Sequence, residues 1–521
     1  MDLTAVIQTN FSNTQVIWII TALLSGFISI FLFLRKRIPL SLFFLLIAGA
    51  ILRFLIAGLD PFLWTWDEQY HALVAKNMTG NLLKPVLISD PVLDYDFRAW
   101  KENHIWLHKQ PWFLWQITLF FKIFGISEYI LRLPTVIMMS ILILVIYRIG
   151  SIVANRETAW FGAFLYSFSY FFINFISGAI PTDHNDAAFI FYVSLSIWAW
   201  VEYTNSEKRR WLFWIGLFAG IAVLNKWMVG LLVFAGWGSV ILTCSPKEEW
   251  FIKFKQLTFS LLVTLVVALP WQIFILTTYP TESMFEFRFN MEHVFKVVEG
   301  HHEAWWYHFS LLSQQYGGIV VLFIILPGMY YLVKQIHFKS YRIALLIYLV
   351  VTYLFFTVAA TKMPMFCTIV GPMIFLALGG FLKKCTDILN RLLPSPISFL
   401  TLLILISLLG VFYLQINRID TEHSVRSAYW KKVRDDAILD KVMAEKLPSN
   451  DYVVFNCGGH NSTMFMFYTG ITAYCFYPDQ KQYNNLKQRK IKIATFADKD
   501  LPAYLAEDPE VVKLYSNPIP Y

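Results

Sequence analysis

Charge is what this chain has least of: Asp, Glu, Lys and Arg make up 15% of its 521 residues, against roughly 25% in an ordinary soluble domain. That shortage, beside 57% hydrophobic and 18% aromatic residues, excludes a soluble globular protein. Nucleotide fingerprints are missing as well: neither GxxxxGK[ST] nor GxGxxG occurs, so the usual phosphate cradles of nucleotide enzymes are not expected. The five cysteines, Cys244, Cys367, Cys385, Cys457 and Cys475, have no CxxC spacing and do not predict a cysteine metal site. Only Cys457 and Cys475 share the C-terminal region, where a disulfide is open but unsupported. The opening stretch MDLTAVIQTNFSNTQ has no Lys or Arg, so the first apolar run is expected to stay as a helix and not to be removed as a signal peptide. The net charge of +8 comes mostly from cations in short loops, where they set orientation, and no nucleic-acid partner is expected.

What is present in quantity is apolar runs. Crossing about 30 Å of hydrocarbon takes about 20 residues. Spans are expected near 16–34, 38–59, 130–152, 158–178, 185–204, 211–225, 227–243, 257–278, 306–333, 342–360, 364–382 and 397–416, twelve in all. The triplet Arg35-Lys36-Arg37 marks the first loop as cytoplasmic. The stretch from Trp112 to Gly125 is short and contains Lys122. Left in the membrane plane, it keeps RIGSIVANRE and NSEKRR inside, as the charge rule demands. Charges return after residue 416. The expected architecture is therefore a mainly α polytopic domain over 1–416, with in-plane juxtamembrane helices, and a small soluble α/β domain over 417–521 on the outer, periplasmic face of a bacterial inner membrane.

This parity gathers the ionisable residues on one rim. WTWDEQYH carries Asp67 and Glu68 where a span should end; an acidic cap at a helix start is the plain alternative. LHKQPWFLW closes the same loop with His108, Lys109 and Pro111. Asp183 and Asp186 precede an apolar run, and either reads equally as a helix N-cap. Lys226 and Lys362 sit at outer turns, where a lone lysine commonly snorkels to headgroups. The loop 279–305 offers Arg288, His293, His301 and His302, a set that solvent alone would explain. Carboxylates, cations and histidines beside hydrocarbon suit a lipid-linked phosphate: cations hold the phosphate, the bilayer holds the tail, and a carboxylate takes a proton from an incoming hydroxyl. A transporter would place its ionisable groups at mid-span instead.

Several motifs, in order, resemble one family: Asp67-Glu68 after the first outward-going span, Lys109-Gln110-Pro111, FFKIFGISEYILRLPTV, an Asp before an outward-to-inward span, LNKWMVGLL, LPWQ at Leu269 to Gln272, and KMPMFCTIVGP. They are similar to those of the GT-C glycosyltransferases, in the protein mannosyltransferase-like group near the bacterial aminoarabinose lipid A transferases. The resemblance implies inverting transfer of a sugar from a polyprenyl phosphate to a lipid, glycan or protein acceptor, by an enzyme that is a monomer. It implies catalytic roles for Asp67, Glu68 and Asp186, with Asp67 as base, and donor-phosphate contacts from Lys109, Lys226, Arg288 and Lys362. It also implies a divalent metal, Zn or Mg/Mn. The family's Glu before the Lys-x-Pro is His108 here, and His302 is its candidate partner. The extra first span departs from the pattern.

Overall fold

The computed structural model describes residues 10–99, 103–180, 183–458 and 461–515. Each expected apolar run is helical, from Asn13–Leu34 to Ser395–Leu414. Among the described residues, nine helical runs are long and apolar enough to cross a bilayer. They become ten if Tyr307–Tyr316 and Val320–Gln335, bent by 95° at their junction, form one span. The expected count of twelve differs for two physical reasons.

The run expected over 158–178 breaks at Ser169 into Arg156–Phe168, 13 residues, and Tyr170–Asn174, 5 residues. Thirteen residues reach only about 20 Å, and every residue from Thr158 to Phe168 is buried, so protein surrounds this helix. The other reason is that Arg210–Cys244 counts as a single run of 35 residues, although the chain turns back inside it. A Cβ on Gly230 would stand 2.6 Å from the Val223 nitrogen, where a straight helix separates residues seven apart by about 10 Å. The reversal is at Trp227, at φ 58°. Lys226 there bonds Asp186 at the start of helix Asp183–Ser206, while the Thr243 carbonyl, at the other end, accepts from Lys339 at 3.3 Å.

Helix Trp112–Phe124 starts after Pro111 and stops at Gly125, whose φ of 90° a side chain would resist. It does not cross. Trp115 donates to the Leu82 carbonyl at 2.8 Å, Thr118 to that of Ala75 at 3.1 Å, and Phe121 lies against Phe467. All three partners belong to one layer, formed by helix Asp67–Asn77, the loop after it and the C-terminal region, so this helix runs along that layer.

The helix Ser395–Leu414 ends where Gln415 adopts the left-handed conformation before Ile416. Beyond it, β1 (Tyr452–Phe455), β2 (Lys492–Phe496) and β3 (Val512–Leu514) form a parallel sheet in the order β1-β2-β3, with Tyr452 opposite Lys492 and Ala494 opposite Val512. The helices Ala428–Glu445, Asn461–Thr469 and Gln480–Gln488 complete a small α/β unit, as expected. Of the Gly-Gly-His turn in the sequence, Gly459 and His460 lie outside the described residues. Cys457 and Cys475 form no disulfide with each other.

This unit is keyed into the segment between Asp60 and Leu93. The indole N–H groups of Trp64 and Trp430 donate to the Asp60 carboxylate at 2.8 and 2.7 Å, and the His423 ring nitrogen Nδ1 lies 2.7 Å from it. Burial alone would raise the Asp60 pKa; His423, Arg132 and the Trp64 N–H outweigh it and hold the carboxyl below its ordinary value. Tyr468 accepts from Leu63 N–H at 3.0 Å, and Tyr474 from Val92 and Leu93 N–H at 3.2 and 3.3 Å.

Candidate active site

Helix Asp67–Asn77 carries the first site residues, and two features fix its start. Trp66, its N-cap, sits at φ 71°, a conformation that costs a bulky residue about 1–3 kcal/mol. Glu68, fully buried, points away from solvent. It takes Arg132 Nε at 2.8 Å and Nη2 at 3.0 Å, and Trp64 N–H at 2.7 Å; His184 Nε2 lies 3.3 Å away. Arg132 also donates to the carbonyls of Ala57, Asp60 and Phe62. Burial pushes the Glu68 pKa up, but Arg132 and His184 outweigh it and keep the carboxylate ionised. Glu68 and Arg132 thus pin the turn that presents Asp67. Among the predicted residues, Glu68 is part of this scaffold and is enclosed by it.

Asp67 itself is half-buried, with Lys109 Nζ 3.9 Å from its Oδ1 and both side chains 17% exposed. That ion pair is too long for a hydrogen bond and leaves room between the groups. Lys109 opens onto a cavity of about 360 Å³ lined by His108, Asn185, Asp186, Asn225, Lys226, His293 and a largely apolar remainder that includes Phe189, Phe356 and Phe366. The volume falls within the range of ligand clefts, about 300–1,000 Å³. Lys226 bonds Asp186, which is 1% exposed, and lies 5.0 Å from the Phe366 ring centre. Strain recurs here: Trp227 follows Lys226 at φ 58°, and Glu299 on the cavity wall sits at φ 56°. Of the non-glycine residues at positive φ, three therefore flank this site. Gln272, from the LPWQ motif, donates to Gln110 at 2.7 Å and so steadies the residue next to Lys109.

The four predicted phosphate cations divide. Lys109 and Lys226 line the cavity. Lys362 is buried and donates to the Ala359 carbonyl at 2.7 Å. Arg288 is exposed and lines a separate shallow hollow with Met291 and Phe295. Asp186 pairs with Lys226, which places it as a partner of that cation. The side chain of Asp183 lies outside the described residues.

The metal candidates also divide. His302 is exposed, whereas His108 is 7% exposed with its Nδ1 3.3 Å from Glu286 Oε2. His108 thus meets Glu286 and not the expected His302. Two donors are half of a four-ligand zinc set, and no group of three or more His, Cys, Asp or Glu able to hold a metal occurs among the described residues. No reaction step is therefore routed through a metal. Burial holds His293, on the same wall, down to a pKa of about 4, so at neutral pH it is an uncharged ring.

Several of these residues escape sequence reading. Arg132 and His184 lie inside apolar or capping contexts 64 and 116 residues from Glu68. Glu286 is one acid among several in a charged loop. Asn225 carries a visible signal, an amide beside Lys226 at an outer turn. Its Oδ1 and that of Asn185 are buried without a hydrogen-bond partner among the described residues, and both residues line the cavity.

Residues 108–274 match the family model described as dolichyl-phosphate-mannose-protein mannosyltransferase. An uncharacterised protein of Aquifex aeolicus is 30% identical over 226 residues, 42% of this chain and 41% of that protein. The undecaprenyl phosphate-alpha-4-amino-4-deoxy-L-arabinose arabinosyl transferase 2 of Pseudomonas fluorescens is 23% identical over 395 residues, 72% of this chain and 66% of that one. The aligned stretch thus spans less than two thirds of either relative. Among solved structures, ArnT from Cupriavidus metallidurans bound to undecaprenyl phosphate superposes with a TM-score of 0.64 at 14% identity, over 85% of this chain and 87% of that one. The archaeal oligosaccharyltransferase AglB from Archaeoglobus fulgidus superposes with a TM-score of 0.53 at 13% identity, over 84% and 64%. The family resemblance read from the motifs holds, and the fold is that of these two transferases.

Proposed function

We propose, taking the GT-C glycosyltransferase fold as premise, that this multi-pass membrane protein moves a sugar from a polyprenyl phosphate to an acceptor hydroxyl at the outer membrane face. The observation that carries the reading is the mostly apolar cavity with Lys109 and Lys226 on its wall and the Asp67 carboxylate 3.9 Å from Lys109. The undecaprenyl phosphate bound to ArnT in its solved structure supports the carrier class.

In this reading the acceptor oxygen attacks the anomeric carbon from the face opposite the phosphate. The carbon–oxygen bond to phosphate breaks, its electron pair leaves with the polyprenyl phosphate, and configuration inverts through an oxocarbenium-like transition state. Asp67 accepts the proton of the attacking hydroxyl. Lys109 and Lys226 stabilise the charge gathering on the leaving phosphate, with Asp186 holding Lys226 in position. The apolar wall receives the polyprenyl chain. If a divalent ion binds, His108 and Glu286 are the residues that hold it. The acceptor is a lipid A-like lipid or another periplasmic glycan; a protein hydroxyl is the competing acceptor.

The test is consumption of a radiolabelled undecaprenyl-phosphate sugar by the purified chain in proteoliposomes, supplied with outer-envelope extract as acceptor. Label should move into an envelope lipid or glycan. Movement of intact donor between leaflets without loss of the sugar would identify a transporter instead.

A further inference from the structure

His423 follows helix Ile416–Glu422, in the segment that leads into the C-terminal α/β unit, and is buried. Both of its ring nitrogens face oxygen acceptors. Nδ1 lies 2.7 Å from Asp60 Oδ2, and Nε2 lies 2.6 Å from Asn174 Oδ1. The far side of the Asn174 amide fixes which way it points. Its Nδ2 donates to the Tyr170 hydroxyl oxygen at 3.0 Å and lies 3.5 Å from Glu422 Oε2, and the Tyr170 hydroxyl donates to that same carboxylate oxygen. Turned over, the amide would set its own oxygen against Glu422 and leave one Tyr170 proton between two acceptors. Asn174 Oδ1 therefore faces the ring. A neutral imidazole carries one N–H and one lone pair, so it satisfies one of its two neighbours and turns a lone pair on the other. The imidazolium donates to both.

We propose that His423 is a proton-operated clasp: as the imidazolium it ties the C-terminal unit to the rest of the chain through Asp60 and Asn174, and loss of the proton undoes one side of that tie. The two sides come from separate elements, since Asp60 follows helix Ile38–Ala57 and Asn174 ends helix Tyr170–Asn174. The charged and titratable groups gathered around the ring are matched to the cationic form. The Asp60 carboxylate, which also accepts from Trp64 and Trp430, touches the ring, while Arg132 bonds only the Asp60 carbonyl. Behind Asn174, Glu422 is shared by Tyr170 and Arg418, and Arg418 also lies over the Tyr170 ring. Nearer in sequence, Arg426 and Asp420 pair with each other. When the ring gives up its proton, two arrangements are open. Either Nδ1 turns a lone pair on the Asp60 carboxylate, or Asn174 turns over and draws the Tyr170 hydroxyl away from Glu422. Each costs a bond between the C-terminal segment and the residues before it, so the clasp is complete at low pH and loosens as pH rises. It stands whatever group the protein transfers.

The experiment follows the full chain in lipid nanodiscs from about pH 5 to about pH 9, which brackets an ordinary imidazole titration. Solid-state nitrogen NMR of histidine-labelled protein, with the His423 signals identified by their loss in His423→Gln, should show both ring nitrogens protonated at the acid end and one at the alkaline end. Over the same interval amide exchange around Trp430, corrected for its intrinsic pH dependence, should speed up about fivefold or more, the equivalent of one lost buried hydrogen bond. His423→Gln should exchange at the faster rate throughout. Asn174→Asp sets a second carboxylate against the ring and should move both transitions to higher pH; Asp60→Asn should move them to lower pH. A ring with one protonated nitrogen at the acid end overturns the proposal. So does exchange around Trp430 that ignores pH, or a pair of transitions that both carboxylate variants leave in place. If the variants fail to fold, the wild-type exchange profile alone decides.

Discussion

In the proposed transfer Asp67 acts as an ionised base, and a general base contributes about 10²–10⁴-fold to a rate. Asp67→Asn should therefore lower transfer by that factor with normal expression and thermal stability; near-normal turnover in membranes would remove Asp67 from the reaction. Lys109→Ala removes a charge-assisted contact of about 1.5–3 kcal/mol and should weaken undecaprenyl phosphate binding about 10- to 100-fold, read by titration. The adjacent acid in the sequence, Glu68, resembles Asp67 in composition and differs from it entirely in environment. Which of the pair stands beside Lys109 was not legible, because that depends on Arg132 and on the φ of Trp66, neither of which leaves a local signal. His71, fully buried one turn later against Phe113, is held at a pKa of about 4 by burial. The unfolded chain protonates it near 6.5, so between about pH 6.5 and 4 the unfolded state holds the extra proton and stability falls as pH is lowered. The loss approaches about 3 kcal/mol at the acid end. Melting measured across that window should fall less steeply for His71→Gln than for the wild type.

At the scale of elements, the turn before helix Asp67–Asn77 depends on a buried ion pair. Removing one partner of such a pair costs about 3–5 kcal/mol because the other charge is left stranded. Glu68→Gln or Arg132→Met alone should lower the melting temperature sharply, and the double variant should recover part of the loss. Gly178 is held in the same place from the opposite side. Its φ is 87°, and a Cβ there would lie 2.2 Å from the Glu68 carboxylate. Gly178→Ala should reproduce the melting defect of Glu68→Gln; an unchanged melt would show that the turn can relax. The apolar runs were legible because hydrocarbon thickness imposes one length on all of them. The break at Ser169 was not, since a helix buried on every side by protein is freed from that length. The in-plane helix Trp112–Phe124 was legible through charge, since any other placement puts basic loops on the wrong face.

Across the whole molecule, the two ends of the chain are tied together. Asp60 meets His423 and Trp430 across 363 and 370 residues, and Lys76 donates to the Phe467 carbonyl. Cutting the chain after Gln415 should leave membrane insertion intact and expose the loop between residues 78 and 107 to protease, with loss of transfer; a truncated chain that stays resistant there would make the C-terminal unit dispensable. These long pairings carry no sequence signal, which is why an α/β unit could be read from the sequence but its attachment could not. They also set an order of events during synthesis. The turn carrying Asp67 and its Arg132 pin are made early, yet His423 and Trp430, which hold Asp60 beside it, belong to the last hundred residues. A half-made chain therefore carries Asp60 without the ring and indole that tie it down, and that anchor closes only once the C-terminal unit has been made.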